Sequence, residues 1–114
     1  LAAARFKVYE AKKIKQNLPP ARTVIDLHME KIMDNWQSLG NYEILQTQLQ
    51  EFEKWYDLAV AHRQPTLTVI HGVGSGRLRD EIHELLKARR EVRFFINQYD
   101  PRFGYGATEV FFNV

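Results

Sequence analysis

His71 heads a run in which every second residue is glycine, His71-Gly72-Val73-Gly74-Ser75-Gly76, and Arg77 and Arg79 follow at once. Glycines permit positive φ and remove side-chain bulk, so backbone N–H groups can turn toward an anion. An imidazole beside that anion can move a proton near neutral pH. A second group of the same character lies upstream, where Asp26 and His28 are two residues apart. On a strand that spacing puts both side chains on one face. A carboxylate there can orient an imidazole through its ring N–H.

Three uses compete for the glycine run: a tight turn, a phosphate cradle, or part of a catalytic site. A helix starting near Gly76-Arg77 would add partial positive charge for a phosphate, while Asp80 and Glu81 bring opposing charge into its first turn. The run is not a P-loop, since no Lys-Ser/Thr pair follows it. Nor does it carry the glycine spacing of a dinucleotide fingerprint. Asp26, His28 and Glu30 can also be read as metal ligands. Two histidines on separate strand ends make a sparse set, so no metal site is assigned. No cofactor is certain, and a divalent metal ion is the one left open.

The elements that must position these residues follow from periodicity. Arg22 to His28, "RTVIDLH", is short and β-branched, as expected of a buried strand. Met29 to Trp36 reads as a short helix, with a break at Gly40-Asn41. Ile44 to Arg63 is the clearest helix, its stripe running Leu45, Leu49, Phe52, Tyr56, Ala59 and Val60. Gln64-Pro65 stops it, and Thr66 to His71 forms a second strand. Leu78, Ile82, Leu85 and Leu86 mark a second main helix, whose acidic start and basic end suit the helix dipole. "KARR" at its end is therefore read as a cap. Val92 to Tyr99 and Thr108 to Val114 complete four strands, joined by the turn-rich "DPRFGYGA".

The result is an α/β fold: one βαβαββ two-layer domain with a mixed four-stranded sheet. A right-handed crossover makes the first two strands parallel. His28 and His71 then share the carboxyl edge, where open α/β sheets bind ligands. His62 and His83 are expected to be surface or cap residues, and Phe94, Phe95, Phe111 and Phe112 core. Tyr99, Phe103 and Tyr105 flank loops, with base stacking and turn packing as alternatives.

Bulk composition narrows the class. With 114 residues, 26% charged and no cysteine, the chain is an ordinary one-domain globular protein without disulfides or thiolate metal sites. No apolar run approaches the ~20 residues of a membrane span and no signal peptide is visible, so the cytoplasm is the default location. The net charge is only +2, yet Arg5 to Arg22 is basic and is relieved only by Glu10. Residues 1–21 are therefore read as a basic N-terminal arm or linker and 22–114 as the domain. The opening residue, Leu1, fits a piece of a longer polypeptide.

Three blocks, "VIDLH" (Val24 to His28), "TVIHGVGSGRLR" (Thr68 to Arg79) and "GYGATEV" (Gly104 to Val110), together resemble the signatures of the small MutS-related (Smr) domain. That resemblance implies a fold like the C-terminal domain of translation initiation factor three. It also implies nucleic-acid binding and, in many members, nicking of DNA or cleavage of RNA. Carried over, the D-x-H element falls on Asp26 and His28, and H-G-x-G on His71, Gly72 and Gly74. The third block falls on Gly104, Gly106 and Thr108. Met29 and Phe103 stand where the fullest motifs have glycine, and are expected to narrow the groove. The segment Glu30 to Tyr42 is longer than usual.

The expected function is nucleic-acid binding with endonuclease activity, a phosphodiester hydrolysis. His71 would be general acid or base, His28 its partner and Asp26 the orienting group. Gly72, Gly74, Ser75, Gly76, Arg77, Arg79, Gly104, Gly106 and Thr108 would grip nucleic acid. The alternative is a non-catalytic module binding nucleic acid or protein at the end of a larger chain. RNA carries its own 2′-OH nucleophile, so a metal-free histidine pair suits RNA. DNA cleavage would call for a metal or a covalent step.

Overall fold

A computed structural model describes residues 18–114. The basic arm expected over residues 1–21 therefore falls mostly outside the described residues. The elements are β1 (Val24–Asp26), α1 (Met29–Ile32), a 3₁₀ turn (Trp36–Ser38), α2 (Asn41–Ala61), β2 (Thr66–Ile70), α3 (Arg77–Lys87), β3 (Val92–Ile96) and β4 (Ala107–Phe112). The sheet order is β1-β2-β4-β3. β1 runs parallel to β2, while β4 is antiparallel to both β2 and β3. This is the mixed four-stranded α/β layer expected from the sequence.

Alternation along each strand decides which side is buried. Ile25, Leu67, Val69, Val110 and Phe112 join Phe52, Tyr56 and Ala59 of α2 and Leu78, Ile82 and Leu86 of α3 in one core cluster. Both main helices thus cover one face. Phe94 and Phe111 are on the other face, stacked with centroids 4.5 Å apart, and Phe94 remains 42% exposed. The expectation that both belong to the core fails because they alternate with the residues that do.

Helix ends are set by local hydrogen bonds. α2 starts at Asn41, three residues earlier than the apolar stripe indicates, because the Gly40 N–H donates to the Glu43 carboxylate at 2.9 Å. It closes with Arg63 N–H donating to the Val60 carbonyl and Gln64 N–H to that of Ala59. This pairing is a Schellman motif, here with Arg63 rather than glycine in the left-handed conformation, φ 55°. α1 is shorter than the expected Met29–Trp36. Met33 turns extended and Asn35 left-handed, a conformation its short polar side chain tolerates.

β3 stops at Ile96 rather than Tyr99, where Asn97 turns its amide to the carbonyls of Tyr105 and Ala107. In the "KARR" cluster, expected as a cap, Arg89 is instead a tie to α2. Arg89 forks onto both oxygens of Glu53 at 2.7 and 2.6 Å and lies 4.5 Å over the Tyr56 ring. Among the described residues no helix is long and apolar enough to cross a membrane.

Candidate functional site

The register between β1 and β2 pairs Asp26 with Ile70, and Leu27 N–H continues the ladder to the Ile70 carbonyl. Counting on by two sets His28 opposite Gly72. The His28 ring accordingly lies on the glycine backbone: a Cβ built on Gly72 would sit 3.1 Å from His28 Nε2. Gly72 has φ +84°. Both the conformation and the close approach select glycine there.

Asp26 holds His28 twice. Its Oδ1 accepts from the His28 backbone N–H at 3.0 Å and from ring Nδ1–H at 2.6 Å. The Nδ1 proton is thereby fixed, and Nε2 of the neutral ring is the lone-pair nitrogen. His28 is 45% exposed at its side chain, with Nε2 against Gly72 at the start of the loop.

His71 is held differently. Its position is in phase with Leu67 and Val69, so it faces the helices, and it is 6% exposed. The two imidazoles both lie against Gly72 but leave strand positions of opposite parity, His28 half-exposed and His71 buried. Nδ1 of His71 meets the Gly72 carbonyl at 2.9 Å and Nε2 meets the Thr108 hydroxyl at 2.8 Å. Burial pushes its pKa down, helped by the positive charge of Arg79 and by His28, and the Gly72 hydrogen bond only partly opposes this.

Thr108 is fully buried and its hydroxyl has a second imidazole partner, His83 Nε2, also at 2.8 Å. His83, expected as a surface or cap residue, is neither: its ring packs on Phe95 with centroids 4.7 Å apart. The readable signal was Thr108 itself. It is the polar member of an inward-facing series with Val110 and Phe112, and a buried hydroxyl needs partners.

Gly106 supports the loop from below. Its carbonyl accepts the N–H groups of both His71 and Gly72 at 2.9 Å. A Cβ on Gly106 would come within 3.2 Å of the Gly72 backbone, so only glycine lets the two segments close. Gly106 and Thr108 thus lie beneath the loop rather than on its open side. Gly104 sits in the turn above, bonded to Asp100, and Tyr99 and Tyr105 flank that turn, 62% and 57% exposed.

The open side carries the rest. Gly74 and Ser75 are exposed, and the Ser75 hydroxyl accepts the Arg77 N–H at 3.3 Å. Arg77 extends into solvent beside Glu81, 3.4 Å away, and Arg79 folds over Gly76 beside Asp80 at 3.1 Å. Such exposed pairs contribute little and exchange readily for another anion. A cavity of about 560 Å³ separates this loop from Tyr42, Ile44, Leu45 and Gln48 at the start of α2; His71 is part of its lining and His28 is not. Met29, expected to narrow the groove, is instead buried at 4% exposure. Among the described residues no three His, Cys, Asp or Glu side chains group as metal ligands. Asp26 and His28 offer two adjacent ligating groups.

Comparison with known proteins identifies the family. The family profile of the Smr domain matches residues 43–113, a span that includes the glycine run and Thr108 but begins after Asp26 and His28. The MutS2 endonuclease of Lactiplantibacillus plantarum is 35% identical over 91 residues, which is 79% of this chain and 11% of that protein. The MutS2 endonuclease of Aquifex aeolicus is 34% identical over 67 residues, 59% of this chain and 9% of that protein. This chain thus spans about a tenth of the length of the curated relatives it matches. The crystal structure of the Smr domain of Thermus thermophilus MutS2 superposes with a TM-score of 0.60 at 26% identity, covering 82% of this chain and all of that one. The chain belongs to the Smr domain family.

Proposed function

We propose that this domain binds nucleic acid and cleaves its phosphodiester backbone, with the Asp26–His28 pair as the acid–base group. The observation that carries the reading is the 2.6 Å bond from His28 Nδ1 to Asp26, which leaves Nε2 at the mouth of the glycine loop. The relatives named as endonucleases support the reaction class. The roles differ from those drawn from the sequence. His28 takes the proton and His71, with both ring nitrogens engaged, supports the loop.

On RNA the chemistry needs few parts. His28 Nε2 removes the 2′-OH proton, the 2′-oxygen attacks phosphorus, the P–O5′ bond breaks, and the departing oxygen takes a proton from water. Asp26 stabilises the imidazolium. The N–H groups of the loop, with Arg77 and Arg79, hold the phosphate. A divalent ion, where one is used, would be held by Asp26 and His28 and would supply Lewis-acid activation of the phosphate.

Labelled RNA and supercoiled DNA, each with and without EDTA, test this directly. His28→Ala lowers cleavage ~10²–10⁴-fold, the usual contribution of one acid–base group, with binding retained. A wild-type domain that cuts neither substrate, yet binds both in a salt-sensitive way, is a binding module, and the catalytic reading is then wrong.

A further inference from the structure

We propose that His83, a residue in none of the three signature blocks, is a positioning residue of this site: relayed by the Thr108 hydroxyl, its Nε2–H holds His71 in one tautomer and so fixes the carbonyl of Gly72, the residue against which His28 lies. The catalytic consequence rests on the reading of His28 given above, whereas the tautomer does not.

The assignment follows from counting protons. A carbonyl oxygen only accepts, so the 2.9 Å contact at Gly72 requires the proton of His71 on Nδ1. Nε2 of the neutral ring is then an acceptor, and the single hydroxyl proton of Thr108 must go to it across 2.8 Å. Thr108 has only lone pairs left, so His83 must approach it with Nε2–H, again at 2.8 Å. Three donors and three acceptors pair in one direction, from α3 through β4 to the loop. The Gly72 N–H, in the preceding peptide, is tied as well, to the Gly106 carbonyl. With both of its backbone polar groups bonded, the glycine against which His28 Nε2 lies has little freedom.

Nothing near either ring favours a charged form strongly enough to scramble this order. Burial, with Arg79 and His28, disfavours charge on His71 and outweighs the Gly72 hydrogen bond that favours it. Burial, His71, Arg79 and Lys87 disfavour it on His83, and Asp80 is the opposing group. The neutral chain is therefore the form present at neutral pH. Its members come from residues 71, 83 and 108, which no local motif links.

The test uses the whole domain with labelled histidines. Long-range ¹H–¹⁵N spectra at pH 7.5 report each ring's tautomer, and His71 is expected in the Nδ1–H form with His83 in the Nε2–H form. His83→Phe keeps the ring contact with Phe95 but deletes the donor. His83→Gln restores an N–H at the Nε2 position and His83→Asn does not. In His83→Phe and His83→Asn the His71 and Gly72 resonances shift and kcat falls about 10-fold with KM unchanged, as expected for a small misplacement of the reacting groups. His83→Gln returns both toward wild type. A wild-type His71 in the Nε2–H form overturns the proposal, whether or not the domain cleaves anything. So does a His83→Phe variant whose His71 signals and kcat match wild type. Correct tautomers in a domain without cleavage would keep the relay and reject only the catalytic reading.

Discussion

Replacing Gly72 with alanine separates the two demands made on that residue. Its φ of +84° costs a side-chain-bearing residue ~1–2 kcal/mol, offset in part by the lower unfolded-state entropy of alanine, ~0.5–1 kcal/mol. The net loss is about 1 kcal/mol, or roughly 4–8 °C in Tm for a domain of this size. The added Cβ also lands 3.1 Å from His28 Nε2. The ring must give by a few tenths of an ångström while Asp26 holds its other side at 2.6 Å. Gly74→Ala supplies the control, since Gly74 also has positive φ, +32°, but a Cβ there meets nothing within 4 Å. Thermal unfolding should show losses of similar size in the two variants. Cleavage measured well below both midpoints should fall about 10-fold further in Gly72→Ala, and only that variant should shift the His28 ring resonances. Equal cleavage by the two folded variants, or an unmoved His28 signal in Gly72→Ala, would refute the argument that this contact sets the site.

Acid should destabilise the fold through its buried imidazoles. His71 and His83 have folded pKa values below 6.5 because burial disfavours the cation. The unfolded chain therefore takes up protons first, and stability complete above pH ~6.5 is lost as pH falls through that value toward the folded pKa. The slope is at most ~1.4 kcal/mol per pH unit for each ring. Urea titrations from pH 7.5 to 5 check this, and Thr108→Val should lower stability at pH 7.5 by leaving both rings short of a partner, ~1–3 kcal/mol. Arg63→Gly, at the left-handed end of α2, should gain ~0.5–1 kcal/mol and raise Tm by roughly 2–8 °C without altering nucleic-acid affinity. Arg89→Ala should cost ~1–3 kcal/mol by stranding half-buried Glu53 and leave the salt dependence of binding unchanged. Arg77→Ala should do the reverse, with stability within ~0.5 kcal/mol of wild type and the slope of log K against log salt on single strands reduced by ~0.7.

The elements were legible because periodicity reports burial, and the stripe from Leu45 to Val60 and the β-branched run Thr66–Ile70 are unambiguous in that respect. Topology then put His28 and His71 at one sheet edge. Parity was the missing step. Strand residues at odd and even positions take opposite faces, and the pairing of 26 with 70 puts 71 out of phase with 28. Register depends on contacts between strands and is not written in either one, so the face each ring takes could not be read from their positions alone. His83 was hidden for a related reason. It lies beside the Leu78–Ile82–Leu86 stripe, and its partner Thr108 is 25 residues away on another strand. Phe94 was misplaced because an aromatic strand residue has the same identity on either face.

The strand that brings Asp26 and His28 to the loop is three residues long and lies at the edge of the sheet, with one neighbour. Its anchors are Ile25 and Leu27, 1% and 0% exposed, together with a Gln48 amide bonded to the Leu27 carbonyl. The loop and the buried imidazole chain belong instead to α3 and the central strands. Peripheral segments open at lower free energy than the core they border. Peeling of β1 would carry the carboxylate–imidazole pair away from the glycines while the remaining three strands and both long helices stayed folded. Amide exchange at Ile25 and Leu27 would register that event, and a partner that pressed on β1 or pulled on the chain before it would act as an on–off control without touching the loop.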